Sequence, residues 1–230
     1  MADLTDHINA VHREVGRRRI PAGDGHAVVL SRRCDATLED VWNACTTPER
    51  LARWLAPVTG DLRAGGGYRL EGNARRAGDA RPAGGAHVAA DARGTILACE
   101  RPSLLRVTWV HGESVTEADV SEVTLTLSAR DYGATLLTLE HAAVGAPGVW
   151  ERYGPGVPGV GWDLALLGLA RHLDGDPRAG RENLPTTPEG RSLVTDVSQR
   201  WRAAHLAFGA TAEAAERAAA ETAAHFAPEG

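Results

Sequence analysis

"GVGWDLALLGLARHL", residues 159–173, decides the fold. From Trp162 to Leu173 the spacing predicts a helix with Trp162, Leu166, Leu169 and Leu173 on its inner stripe. Leu164 and Leu167 fall off that stripe, and a helix apolar on more than one side is covered on more than one side. One cover lies upstream. Between Gly60 and His141 the apolar period is two, with strands read in "GGGYRLEG" (65–72), "GTILACE" (94–100), "LLRVTWVH" (104–111), "VSEVTLTL" (120–127) and "ATLLTLEH" (134–141). In the third of these Leu105, Val107, Trp109 and His111 alternate with Arg106 and Thr108; in the last, Leu137, Leu139 and His141 share a face. Such alternation marks an antiparallel sheet with one wet face. The second cover lies downstream. "PEGRSLVTDVSQRWRAAHLAF" (188–208) carries Leu193, Val197, Trp201 and Leu206 at helical spacing, and a further helix follows Thr211.

The remaining elements fit around that core. "HAVVLSRRC" (26–34) reads as a strand. "DATLEDVWNACTTPERLARWLAP" (35–57) reads as two short helices with Thr37 and Thr47 as caps, Pro48 opening the second, and Trp42 in the core. Leu4, Ile8, Val11 and Val15 predict an amphipathic helix over residues 3–16, broken by "RRRIPAGDG". The expected class is α+β: a curved antiparallel sheet wrapped around a long C-terminal helix, with extra C-terminal helices. The expected organisation is a helical arm over 1–20, a main domain over 21–176, and a linker with a helical extension over 177–230.

Composition narrows the function. The net charge of −5 offers no basic field for nucleic acid or an anionic membrane. All 25 cationic residues are arginine, so no side-chain amine is present to form a Schiff base. Cys34, Cys45 and Cys99 are too scattered for a disulfide framework and contain no CxxC pair. With no apolar leader and no membrane-length apolar run, the expected setting is the reduced cytoplasm. His, Cys and Asp do not fall at zinc-ligand spacing, and neither a dinucleotide fingerprint nor a GxSxG elbow occurs, so no cofactor and no metal are expected.

"DVWNACTTPERLARWLAPVTGDLRAGGGYRLEG", "GTILACERPSLLRVTW", "SEVTLTL" and "TLLTLEH" followed by "GVGWDLALLGLARHL" occur in order. Together they resemble the SRPBCC superfamily, and within it the branch of heat-shock-chaperone ATPase activator homologues, over about residues 24–174. The resemblance implies a START-like helix-grip fold with a cavity between sheet and long helix. It also implies a range of activities: binding of lipids and hormones, polyketide cyclisation or dehydration, stress-related roles and co-chaperone work. Where relatives carry a short turn, this chain has an insertion, Gly72–Gly94.

Candidate site residues follow from the inward faces. Trp54, Tyr68, Trp109, Leu137, Leu139, Trp162 and Leu166 are expected around the cavity. His141 shares the inner face of Leu137 and Leu139, and His111 that of Trp109; either is a candidate proton carrier near neutral pH, or a hydrogen-bonded core histidine. The Gly- and Pro-rich segment 145–161 reads as a gate over the cavity, with Trp150 and Tyr153 closing on an apolar ligand, or as a loop that merely reverses direction. Asp163 reads as a helix N-terminal charge.

Three functions remain open. The first is binding of a hydrophobic or aromatic small molecule. The second is cofactor-independent catalysis on such a ligand, as a cyclase, dehydratase or hydrolase, with His141 and His111 moving protons. The third is a co-chaperone-like interaction, or homodimer formation through the C-terminal helices.

Overall fold

In the computed structural model, residues 4–71, 92–111, 120–145, 148–179 and 184–227 are described. The elements run α1 (Leu4–Asn9), β1 (Val11–Ile20), β2 (Gly23–Cys34), α2 (Leu38–Thr46), α3 (Pro48–Trp54), β3 (Val58–Gly60), β4 (Gly67–Leu70), β5 (Ala92–Glu100), β6 (Leu104–His111), β7 (Ser121–Ala129), β8 (Thr135–Ala143), α4 (Val149–Tyr153), α5 (Gly156–Leu173), α6 (Pro188–Phe208) and α7 (Ala212–Phe226). The strands form one eight-stranded antiparallel sheet in the order β1-β2-β8-β7-β6-β5-β4-β3. This is the expected α+β helix-grip architecture. The sheet's inner face and α5 enclose the core, where Leu137, Leu166 and Leu169 are almost wholly buried. Burying each such leucine stabilises by about 1.5–3 kcal/mol.

Local signals explain the small elements. Thr37 caps α2, its side chain accepting from the Asp40 amide. Thr47 precedes α3 without making a side-chain cap, and Pro48 opens that helix, where a missing amide hydrogen costs nothing. Thr187 and Thr211 cap α6 and α7 through the amides of Gly190 and Ala214.

Two expectations change. The helix expected over 3–16 stops at Asn9, and residues 11–20 form β1 instead of a helical arm. The register with β2, from Val11↔Arg32 to Ile20↔Gly23, satisfies the backbone across a two-residue turn at Pro21–Ala22. Pairing with a neighbouring strand outweighed a helical spacing that had only four apolar residues to support it. Arg17, Arg18 and Arg19 therefore lie on an edge strand, where charge discourages pairing with another sheet.

The second change concerns segment 145–161. Residues 146–147 lie outside the described residues, but α5 begins at Gly156, six residues before Trp162. Pro158 falls in its first turn, where its missing N–H has no intrahelical partner to lose. The glycines serve close packing. A Cβ at Gly156 would sit 2.0 Å from Thr222 Oγ1, and one at Gly159 would sit 2.2 Å from Trp201 Cε2. Residues 154–161 thus form the buried start of the helix, pressed against α6 and α7. Gly159→Ala is expected to destabilise by about 1–3 kcal/mol, since the Trp201 ring must be displaced. Urea unfolding of the variant checks this; an unchanged midpoint would show that the interface is loose.

The C-terminal pair provides the second cover expected for the long helix. Val194, Val197 and Trp201 of α6 are buried and belong to the same apolar cluster as Leu166 and Leu167 of α5.

Candidate functional site

The sheet and α5 do not fill the space between them. A cavity of about 140 Å³ lies there. Its walls are Trp54 and Leu51 of α3, Tyr68 and Leu70 of β4, Leu105, Val107 and Trp109 of β6, Val123 and Leu125 of β7, Leu137 and Leu139 of β8, and Trp162, Leu166 and Leu169 of α5. Cys45, Leu55, Val58, Leu62, Ile96 and Cys99 also contribute. Of the lining residues, Leu62 between β3 and β4 and Cys99 of β5 are exposed. Among the described residues its lining holds no charged side chain.

The polar atoms of the lining aromatics are turned to the protein. Trp54 Nε1 donates to the Ala44 carbonyl at 2.9 Å, and the Tyr68 hydroxyl donates to the Thr108 carbonyl at 2.8 Å. Burial pushes the Tyr68 phenol well above its usual pKa. Trp109 Nε1 donates to His111 Nε2 at 3.0 Å, and Trp162 Nε1 donates to His141 Nδ1 at 3.0 Å. The rings therefore present carbon to the cavity, and it recognises shape and apolar surface.

The expected residues divide into two groups. Trp54, Tyr68, Trp109, Leu137, Leu139, Trp162 and Leu166 line the cavity together. Trp150, Tyr153, His111 and His141 do not. Trp150 stacks on His26 with ring centroids 3.6 Å apart and meets His205 and Phe208 edge-on. Tyr153 packs on His225 of α7. Both aromatics anchor α4 to the C-terminal helices, because α4 leads into the packed start of α5 and away from the mouth.

His141 lies behind the cavity wall and is half-buried. Because Nδ1 accepts from Trp162, the ring proton sits on Nε2, which donates to Ser121 Oγ at 2.8 Å. The Ser121 hydroxyl in turn donates to the Trp109 carbonyl at 2.7 Å. Burial, with a lesser push from His111, lowers the His141 pKa to about 3. The imidazole is neutral and its lone pair is occupied, so this geometry uses it to orient the Trp162 ring. His111 ends β6, exposed, with Nε2 taken by Trp109.

Asp163 is also displaced from its expected role. It sits inside α5, fully buried, and accepts from Arg13 Nε at 2.9 Å, Arg13 Nη2 at 2.6 Å and Trp201 Nε1 at 2.7 Å. Burial pushes its carboxyl upward, opposed by the arginine fork. This cluster ties β1 and α6 to α5, on the side of the helix turned from the cavity.

The sequence reading omitted several lining residues. Leu105, Val107, Val123 and Leu125 were legible, since they share parity with Trp109 and Leu127 on alternating strands. Cys99 was not. In β5 it lies three residues from Ile96, and simple alternation sets the two on opposite faces. A bulge at Leu97 shifts the register, so Ile96 pairs with Val107 and Cys99 with Leu105, both inward. The insertion's residues 72–91 lie outside the described residues.

No curated protein matches the chain. The crystal structure of CalU16 from Micromonospora echinospora is 35% identical with a TM-score of 0.63, covering 85% of this chain and 98% of that one. Its solution structure agrees, at 34% identity and a TM-score of 0.64, covering 87% and 97%. The solution structure of the Aha1 dimer from Colwellia psychrerythraea, 14% identical with a TM-score of 0.50 over 65% of this chain and 97% of that one, shares the fold. The family model described as activator of Hsp90 ATPase homolog 1-like protein matches residues 35–174, from the start of α2 to the end of α5. The sheet that grips α5, the cavity under it and this match agree: the chain belongs to the activator of Hsp90 ATPase homolog 1-like family, within the SRPBCC superfamily.

Proposed function

We propose that this protein binds a neutral hydrophobic or aromatic small molecule in the cavity between sheet and α5. The observation that carries this reading is an uncharged, carbon-faced hollow of about 140 Å³ that opens to solvent. Apolar cavities of roughly 150 Å³ accept a benzene-sized guest, so a single ring or a short branched chain fits without displacing the walls. The lining is almost wholly apolar among the described residues, which supports a binding reading. Large apolar residues exposed among the described residues are Leu62, Leu97, Tyr132 and Val149, none of them on α6 or α7. Three unpaired cysteines suit a reducing setting such as the cytoplasm. No helix among the described residues is long and apolar enough to cross a membrane.

Titration with 4-nitrotoluene, a one-ring apolar quencher, tests the reading through tryptophan emission. Saturable quenching is expected, and Val107→Phe, which fills the cavity from β6, is expected to weaken binding on the order of ten-fold or more. Equal binding by a folded Val107→Phe would show that the cavity is not the site.

A further inference from the structure

The bulge in β5 brings a thiol to the cavity. Were Leu97 paired in regular register, Cys99 would share the outer face with Arg106; with Leu97 bulged out, Cys99 pairs with Leu105 and lines the hollow. Bulges recur where a strand must re-aim one side chain beside a site. Cys99 is exposed, so its thiol is reachable from solvent and from the apolar interior at once. A second thiol faces the same hollow: Cys45 of α2 is only 8% exposed and makes no hydrogen bond among the described residues. Burial raises the Cys45 pKa far above the usual thiol range and keeps it protonated and unreactive. One cavity thus holds an accessible nucleophile at its mouth and an inert thiol within.

We propose that Cys99 is a covalent capture site for apolar α,β-unsaturated carbonyl compounds drawn into the cavity. The inference rests on the binding reading above and adds a reaction to it. The thiol releases its proton to solvent, and the thiolate sulfur bonds to the β-carbon of the bound compound. The carbon–carbon π bond breaks, and its electron pair moves to the carbonyl oxygen as an enolate. The enolate takes a proton from water at the α-carbon. The net change adds S–H across the double bond and needs no oxidant or metal. Apolar walls hold the electrophile beside the sulfur, so a reaction between two molecules becomes a reaction within a complex.

N-phenylmaleimide and N-(2-hydroxyethyl)maleimide test the proposal, one apolar and one polar with the same reacting group. Second-order rates at Cys99 are read by intact mass and peptide mapping, and their ratio is compared with that of glutathione. A preference for the phenyl compound on the order of ten-fold above glutathione's is expected, from burial of one ring. Cys99→Ser is expected to abolish the fast phase, Cys34→Ala, outside the cavity lining, to leave it intact, and Val107→Phe to remove the preference. N-phenylsuccinimide, which has no double bond, should slow labelling by competition and quench tryptophan emission. A ratio equal to glutathione's, or labelling first at Cys45, overturns the proposal. If N-phenylsuccinimide still binds in that case, the binding reading survives alone; if it does not bind, both fall.

Discussion

Asp163→Ala is expected to cost the fold about 3–5 kcal/mol, because it leaves the Arg13 guanidinium buried without its partner. Both Asp163 oxygens are engaged, by Arg13 from β1 and by Trp201 from α6, and the carboxylate is wholly inaccessible. Three segments far apart in sequence meet at this one group. Removing it leaves the Arg13 cation with only the carbonyls of Ile8 and Val11, and strands the Trp201 indole N–H. Arg13→Met with Asp163→Leu is expected to recover most of the loss, since apolar replacement of both partners removes the desolvation penalty along with the attraction. The orphaned Trp201 N–H then accounts for a residual cost of about 1–3 kcal/mol. Urea unfolding of the single and double variants decides the matter. A single variant within about 1 kcal/mol of the parent would mean that water reaches the site.

Acid is expected to unfold the protein early, with His141 contributing strongly. Its pKa falls from an ordinary 6.5 to about 3 in the fold. Below pH 6.5 the unfolded chain takes up a proton that the folded chain refuses until about pH 3. Stability contributed by the neutral imidazole is therefore full above pH 6.5 and falls as pH drops through that window, at up to about 1.4 kcal/mol per pH unit. By pH 4.5 the loss from this group alone reaches about 2–3 kcal/mol. Burial likewise lowers His7, His26, His172, His205 and His225, so they add to the slope in the same direction. His141→Gln is expected to flatten the stability profile between pH 6.5 and 4.5 by about one proton's share while lowering stability at pH 7.5, where the bond from Trp162 is weakened. Unfolding midpoints at three pH values test this; an unchanged slope would show that His141 is solvated in the fold. Because His141 orients Trp162, loss of apolar ligand affinity should accompany its protonation.

Much of the site was written in local periodicity. Alternation on β6, β7 and β8 identifies the inward residues, and Trp54, Tyr68 and Trp162 follow from the elements that carry them. The other placements have separate causes. Trp150 and Tyr153 belonged to a stretch rich in glycine and proline, which reads as a loop until the partners that need those missing Cβ atoms are known. Cys99 escaped because a bulge alters strand parity, and a bulge leaves no mark on a seven-residue stretch such as "GTILACE". His141 was assigned to the inner face by parity, yet its nitrogens are claimed by Trp162 and Ser121, residues on two other elements.

By itself the sequence determined the α+β class, the antiparallel strands and the apolar helix that they cover. These depend on periods of two and about 3.6 residues, which short-range geometry imposes on any chain that must bury one face. Only the tertiary structure decided that residues 11–20 join the sheet, that the Gly–Pro stretch opens α5, and that Arg13, Asp163 and Trp201 share a charge. Each of these turns on a partner distant in the chain: a strand that completes a ladder, a ring that needs room, a carboxylate that must be paired once water is excluded. Local preference is worth tenths of a kcal/mol per residue and such partners are worth several, so where the two disagreed the partner prevailed.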